Sequence, residues 1–305
     1  VSATGTYGSA NVVYNGLAVD AQTVTFANTY GGADVGNYTY AGSPTTTTAK
    51  ITPKALTLTG VAANDKTYNG SVAASLSSLG TLTGLVAADV GYVGLGAGYT
   101  ASFADKNVAY DGSQAVISKT VTVAASSLSL VAGASGNRSG NYAIVTNPTA
   151  TAKINPLAVT VTGIAANDKV YDGTRVGSVD VSGATFTNQI AGDVLTVAAT
   201  GVFGDSHVSW QGNVINSTVI AKTVTLTSTY GGADLGNYTI TGQPTATARI
   251  TPKGLSISGL LANSRVYDGT TDATVNNSNA VYTGLLSGDV VTVTATGAFA
   301  DKNVG

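Results

Sequence analysis

Ile154-Asn155-Pro156-Leu157-Ala158-Val159-Thr160-Val161-Thr162-Gly163 alternates apolar with small residues after a proline and stops at a glycine. A period of two places Leu157, Val159 and Val161 on one face and Ala158, Thr160 and Thr162 on the other, which marks a half-buried strand of an antiparallel sheet. The same stretch appears as Ile51-Thr52-Pro53-Lys54-Ala55-Leu56-Thr57-Leu58-Thr59-Gly60 and as Ile250-Thr251-Pro252-Lys253-Gly254-Leu255-Ser256-Ile257-Ser258-Gly259. Each copy leads to a second motif: Tyr68-Asn69-Gly70, Tyr171-Asp172-Gly173 and Tyr267-Asp268-Gly269. An Asp-Val step follows at Asp89, Asp193 and Asp289, and then Phe103-Ala104-Asp105-Lys106-Asn107-Val108, Phe203-Gly204-Asp205-Ser206-His207-Val208 and Phe299-Ala300-Asp301-Lys302-Asn303-Val304. Thr-Val-Thr recurs from Thr23, Thr120 and Thr223, and Gly-Asn-Tyr closes at Tyr38, Tyr142 and Tyr238. So many landmarks in one order make the chain a tandem repeat.

Tyr68 and Tyr171 lie 103 residues apart, Tyr171 and Tyr267 lie 96 apart. Solenoid coils repeat at about 20–50 residues, whereas a block of about 100 residues can close its own core. The expected organisation is therefore a half-repeat at 1–53, whole repeats at 54–156 and 157–252, and a second half-repeat at 253–305. A segment that bisects a repeat at each end is expected to belong to a longer ordered chain or filament. Asn69-Gly70, Asp172-Gly173, Asp268-Gly269, Gly31-Gly32 and Gly231-Gly232 supply the positive φ angles that tight hairpins need. Seven or eight short strands per repeat are expected, which makes each block an Ig-like β-sandwich in an all-β chain. Pro53, Pro156 and Pro252 separate the last strand of one block from the first of the next, since proline fixes φ and ends ladder pairing. Joints this short restrict bending, so the expected arrangement is an extended rod, on the order of 100 Å for three units.

Composition points the same way. The chain has no Cys and no Met, its acidic residues are all Asp, and Thr, Val, Gly, Ala, Ser and Asn replace the strong helix formers. A hydrophobic fraction of 43% supplies buried cores. Only 10% of residues are charged, and the 14 Lys and Arg are scattered, so nucleic acid is not an expected partner. No apolar run reaches the roughly 18–20 residues needed to span a bilayer. Absence of Cys removes disulfides and thiolate metal sites, and suits a secreted protein that crosses an outer membrane unfolded.

Candidate chemistry is thin. In the Tyr-Asp/Asn-Gly motif, tyrosine is expected in the core and Asp/Asn-Gly in a bend, where Asn69 serves as well as Asp172 or Asp268. Asp34 and Asp234, each two residues before a Gly-Asn pair, are weak calcium candidates, but the middle repeat has Arg138 at that position. Lys106 and Asn107 beside Asp105 suggest an isopeptide bond, yet the next repeat carries Ser206 and His207 there, and a solvated turn is the better account. His207 and Trp210 are the only residues of their kinds, so no triad or histidine metal site can recur per repeat. No catalytic function and no cofactor are expected.

Lys169-Val170-Tyr171-Asp172-Gly173 and Arg265-Val266-Tyr267-Asp268-Gly269, each following a strand and followed by Asp-Val and Gly-Asn-Tyr blocks, resemble the YDG and glycine-rich, mostly-β (MBG) repeats. Such repeats occur in filamentous-haemagglutinin-like adhesins exported by two-partner secretion in Gram-negative bacteria. The resemblance implies an extracellular or cell-surface location and a structural stalk or filament, as part of an adhesin or matrix fibre. Its partners would be neighbouring repeats of the same chain or filament. The alternative is a set of weak glycan- or host-surface-binding units whose number supplies avidity.

Overall fold

The computed structural model describes residues 1–41, 45–240 and 245–305. Among the described residues the regular elements are short strands and three-residue 3-10 turns, and no α-helix forms. The chain is all-β, as a sequence rich in β-branched residues and turn formers requires. It divides into two compact units, Val1–Leu157 with Gly236–Tyr238, and Ala158–Leu235 with Thr239–Gly305.

In the first unit, strand Lys54–Thr59 is the centre of a three-stranded sheet. Thr81–Thr83 pairs with it antiparallel and Tyr142–Ile144 pairs with it parallel, Ala143 facing Ala55. Its alternation sorts as the sequence predicts: Leu56 is fully buried, while Thr57 and Thr59 are exposed and face Thr83 and Thr81. Leu56 packs with Val93 and Tyr142, surrounded by Leu82, Leu85, Leu130 and Ile144. A second sheet runs antiparallel through Ala101–Phe103, Lys119–Val123 and Thr149–Ala152, burying Phe103, Val121 and Val123. Each large apolar side chain so buried contributes roughly 1.5–3 kcal/mol. Residues 1–53 add a sheet of Ser2–Tyr7, Gln22–Thr29 and Thr46–Ala49.

In the second unit, Val176–Gly177, Thr196–Phe203, Lys222–Gly231 and Ala246–Ala248 form a four-stranded antiparallel sheet. Thr160–Thr162 pair antiparallel with Thr185–Thr187. Val161, Ile164, Phe203, Val224, Leu226, Ala246, Ala248 and Ile250 make one core. Among the described residues, 253–305 contribute two-stranded pairings, such as Ser256–Ser258 with Val281–Thr283. Gly163 ends the first strand in the left-handed region, at φ +84°, where a Cβ would lie 2.1 Å from the Gly183 carbonyl oxygen.

Two expectations are corrected. The sheets are not purely antiparallel: Lys54–Thr59 with Tyr142–Ile144, Lys66–Thr67 with Ile154–Asn155, and Lys169–Val170 with Ile250–Thr251 are parallel. A parallel partner needs a long crossover, and the body of the repeat supplies it. Strands are also shorter and more numerous than seven or eight. Twelve lie between Lys54 and Asn155, and eleven between Leu157 and Thr251 among the described residues, because turns interrupt many pairings after two or three residues.

Candidate functional site

The parallel ladders fix where the Tyr-Asp/Asn-Gly motif sits. Lys66 N–H donates to the Lys153 carbonyl at 3.0 Å and Tyr68 N–H to that of Asn155 at 2.8 Å; Lys169 and Tyr171 repeat this with Arg249 and Thr251, both at 2.9 Å. The motif tyrosine is therefore laid beside Pro156 in one case and beside Pro252 in the other. Asp65 and Asp168 pin the same ladders by accepting the N–H of Lys153 and Arg249, each at 2.6 Å.

Beyond the tyrosine the chain turns. Asn69, Asp172 and Asp268 each accept the backbone N–H two residues on, at 3.2, 2.9 and 3.0 Å, and Gly70, Gly173 and Gly269 take φ of 73°, 78° and 82°. A cation three residues before the Asp or Asn braces the turn. Lys169 lies 2.6 Å from Asp172 and donates to the Thr174 and Val176 carbonyls; Arg265 lies 2.6 Å from Asp268. The Lys169 hydrogen bond, aided by the Thr174 N–H, holds the Asp172 carboxyl down at about 2. Lys66 donates to the neutral Asn69 side chain and to the Ser71 and Ala73 carbonyls, lies over the Phe103 ring at 5.3 Å, and has its ammonium pushed by burial below the usual lysine value. The tyrosines differ in setting: Tyr68 is buried, Tyr171 half-buried, and Tyr267 is 58% exposed, contrary to a uniform place in the core.

A second repeated loop carries the Asp-x-Asn/His segment. Asp105 accepts the Asn107 N–H and pairs with Lys119; Asp205 does the same with His207 and Lys222. Those ammonium groups draw both carboxyls below their ordinary value, with the backbone N–H adding to the effect. Asp105 is thus bound to Lys119, Lys106 lies over the Tyr68 ring at 5.9 Å, and Asn107 turns its amide elsewhere, so these residues do not assemble the geometry of an isopeptide bond.

That amide reaches the next repeat. Asn107 Oδ1 accepts from Asn237 Nδ2 at 3.1 Å, and Asn237 Oδ1 accepts the Val108 N–H at 2.9 Å. Asn11, Asn141 and Val12 make the same clasp at 2.8 and 2.9 Å, the two asparagines again 130 positions apart. Tyr14 adds a hydrogen bond to the Gly140 carbonyl at 2.8 Å, and Tyr68 meets Tyr238 edge-on at 5.5 Å. All of these residues lie in the first unit. Asp89 anchors the receiving side there: it is buried, accepts Tyr142 Oη at 2.7 Å and pairs with Arg138. These two partners lower the Asp89 carboxyl, and burial together with the Asp89 contact raises the Tyr142 phenol. In the second unit, Tyr171 Oη donates to Asp289 Oδ1 at 3.1 Å.

The junction is where the repeated motifs meet, and sequence reading named several of its members, among them Asp89, Asn107, Arg138, Tyr142 and Tyr238, without joining them. The available signal was the constant separation of the two asparagines, which marks a contact only once neighbouring blocks are assumed to touch. The calcium candidates fall elsewhere. Asp34 precedes a 3-10 turn without capping it, and Asp234 accepts the Val194 N–H at 2.9 Å. Among the described residues no three His, Cys, Asp or Glu cluster as a metal site. His207 is exposed in its loop, and Trp210 is half-buried beside Val219.

The YDG domain family model matches residues 52–152, 155–248 and 251–305 in succession. No curated protein and no solved structure gives a match. With most of its length matched in three consecutive segments, each bearing the braced tyrosine turn, the chain belongs to the YDG domain family.

Proposed function

We propose that this chain is a stalk segment of a large secreted bacterial surface protein, an adhesin or matrix fibre, in which YDG repeats set distance rather than perform chemistry. The observation that carries the reading is the duplicated clasp: Asn11 with Asn141 and Asn107 with Asn237 repeat the same hydrogen bonds between consecutive repeats. Recurrence of the same asparagine hydrogen bonds from one repeat to the next supports a stalk, which needs a regular joint, over a flexible string of binding modules, which does not. Cell-surface location and export follow from the same reading. Electron images of the native protein test it: elongated particles with a regular axial repeat are expected, and compact particles would refute it.

The exposed threonine rows favour a second reading. Thr57 and Thr83 hydroxyls meet at 2.7 Å and Thr162 and Thr185 at 3.0 Å, giving successive repeats the same polar face. Such a face could hold glycans weakly, with avidity from repetition. Binding to a glycan array that rises with repeat number separates this from a purely mechanical role.

A further inference from the structure

The three tyrosine turns differ in one chemical respect. Two carry Asp172-Gly173 and Asp268-Gly269, and the other carries Asn69-Gly70. In an Asn-Gly step the side-chain amide carbon lies one residue from a peptide nitrogen that no side chain of its own shields. That nitrogen is an intramolecular nucleophile held close to its target. The sequence has a second such step, Asn15-Gly16, in the hairpin of Tyr14–Asn15 and Ala18–Val19.

Asn69 is set apart by the partners of its amide oxygen. Oδ1 accepts from Lys66 Nζ at 3.0 Å and from the Ser71 N–H at 3.2 Å. The ammonium is fixed in place, since it also donates to the Ser71 and Ala73 carbonyls and lies over the ring of buried Phe103. Two held donors, one of them charged, draw electrons from Cγ and stabilise the negative charge the oxygen gains when a nucleophile adds there. Gly70 stands next in the chain at φ 73°, and Asn69 is exposed, so water has access. At the other step no cation serves this purpose: Lys50, the one cation of residues 1–53, donates to the Val19 carbonyl at 2.8 Å.

We propose that Asn69 is a site of self-catalysed deamidation, with the Gly70 nitrogen as nucleophile and Lys66 and the Ser71 N–H as its oxyanion hole. The Gly70 nitrogen gives its proton to water and bonds to Asn69 Cγ. The bond from Cγ to Nδ2 breaks, and ammonia leaves with a proton from water, closing a succinimide ring. The same two donors remain on the Cγ oxygen, so water adds at that carbon. The Cγ–Gly70 nitrogen bond then breaks, the nitrogen recovers a proton, and an aspartate stands at position 69. The net change is one water consumed and one ammonium released, with no oxidant or reductant. The new carboxylate faces Lys66 as Asp172 faces Lys169, so the turn exchanges a hydrogen bond for the ion pair of its counterpart.

Peptide mass spectrometry of the 305-residue chain, aged at neutral pH in heavy-oxygen water, tests the proposal. Folded chain, urea-unfolded chain and folded Lys66→Met are followed in parallel. Asn69 in the folded chain is expected to convert about three-fold or more faster than either Asn-Gly step in the unfolded chain. Lys66→Met is expected to lose that advantage, and the product should be mainly aspartate carrying one heavy oxygen. Should the variant not fold, the comparison of folded with unfolded wild type decides alone. A folded chain that keeps the Asn69 amide or converts it no faster than the unfolded chain would overturn the proposal. So would a folded Lys66→Met chain that reacts as fast as wild type, or isoaspartate as the main product.

Discussion

Asn237 is 4% exposed, and both ends of its amide are used across the junction, towards Asn107 and the Val108 N–H. Truncation removes both hydrogen bonds and leaves the half-buried Val108 N–H and the exposed Asn107 side-chain carbonyl without this partner, a loss of about 0.5–1.5 kcal/mol. Asn237→Ala is therefore expected to lower the unfolding free energy of the chain in denaturant titration, and Asn137→Ala, which gives up only exposed hydrogen bonds from Ser139, to lower it less. At the braced turn the test is acid titration. The Asp172 carboxyl is held at about 2, chiefly by Lys169 and then by the Thr174 N–H. A depressed carboxyl stabilises the fold above its unfolded value near 3.9 and loses that contribution as pH falls towards 2. Carboxyl NMR of Asp172 should show a midpoint near 2, moving up towards the ordinary value in Lys169→Met. An unchanged midpoint in the variant would remove the lysine from the account. Asn69→Asp supplies Lys66 with the anion its repeat lacks and should stabilise by roughly 0.2–1 kcal/mol, the worth of an exposed pair.

At the scale of elements, the alternation around Leu56, Val159 and Val161 told which face of each first strand is buried, because a period of two carries that information directly. It did not tell which strand lies beside it. The parallel partner Tyr142–Ile144 comes from the far end of the repeat, and alternation is the same for parallel and antiparallel neighbours. The repeated tyrosine, proline and asparagine were all visible as landmarks, but their meeting depends on ladders between Lys66–Thr67 and Ile154–Asn155, two residues long and silent in the sequence pattern. The repeated glycine after the first strand was legible as punctuation, and the structure supplies its cause. At Gly163 both the left-handed backbone and the Gly183 carbonyl 2.1 Å from an added Cβ oppose substitution. Gly163→Ala is expected to cost more than the 1–2 kcal/mol of the left-handed backbone alone. Gly204→Ala, in open space, should stay within about 0.5 kcal/mol. Thermal unfolding of the two variants side by side decides whether backbone contact, rather than glycine count, limits this fold.

For the molecule as a whole, composition had already narrowed the choice: without Cys, Met or Glu, and with its few cations scattered, the chain offers repetition as its main property. On the proposed stalk reading, the recurring clasp would turn repetition into geometry, each joint adding the same displacement. Small-angle scattering on chains of two, three and four whole repeats therefore tests the central claim most directly. The account predicts a maximum dimension that grows by one fixed step per added repeat, with a broader distribution of distances in Asn237→Ala. A dimension that grows only as the cube root of chain length, or one indifferent to Asn237, would contradict it.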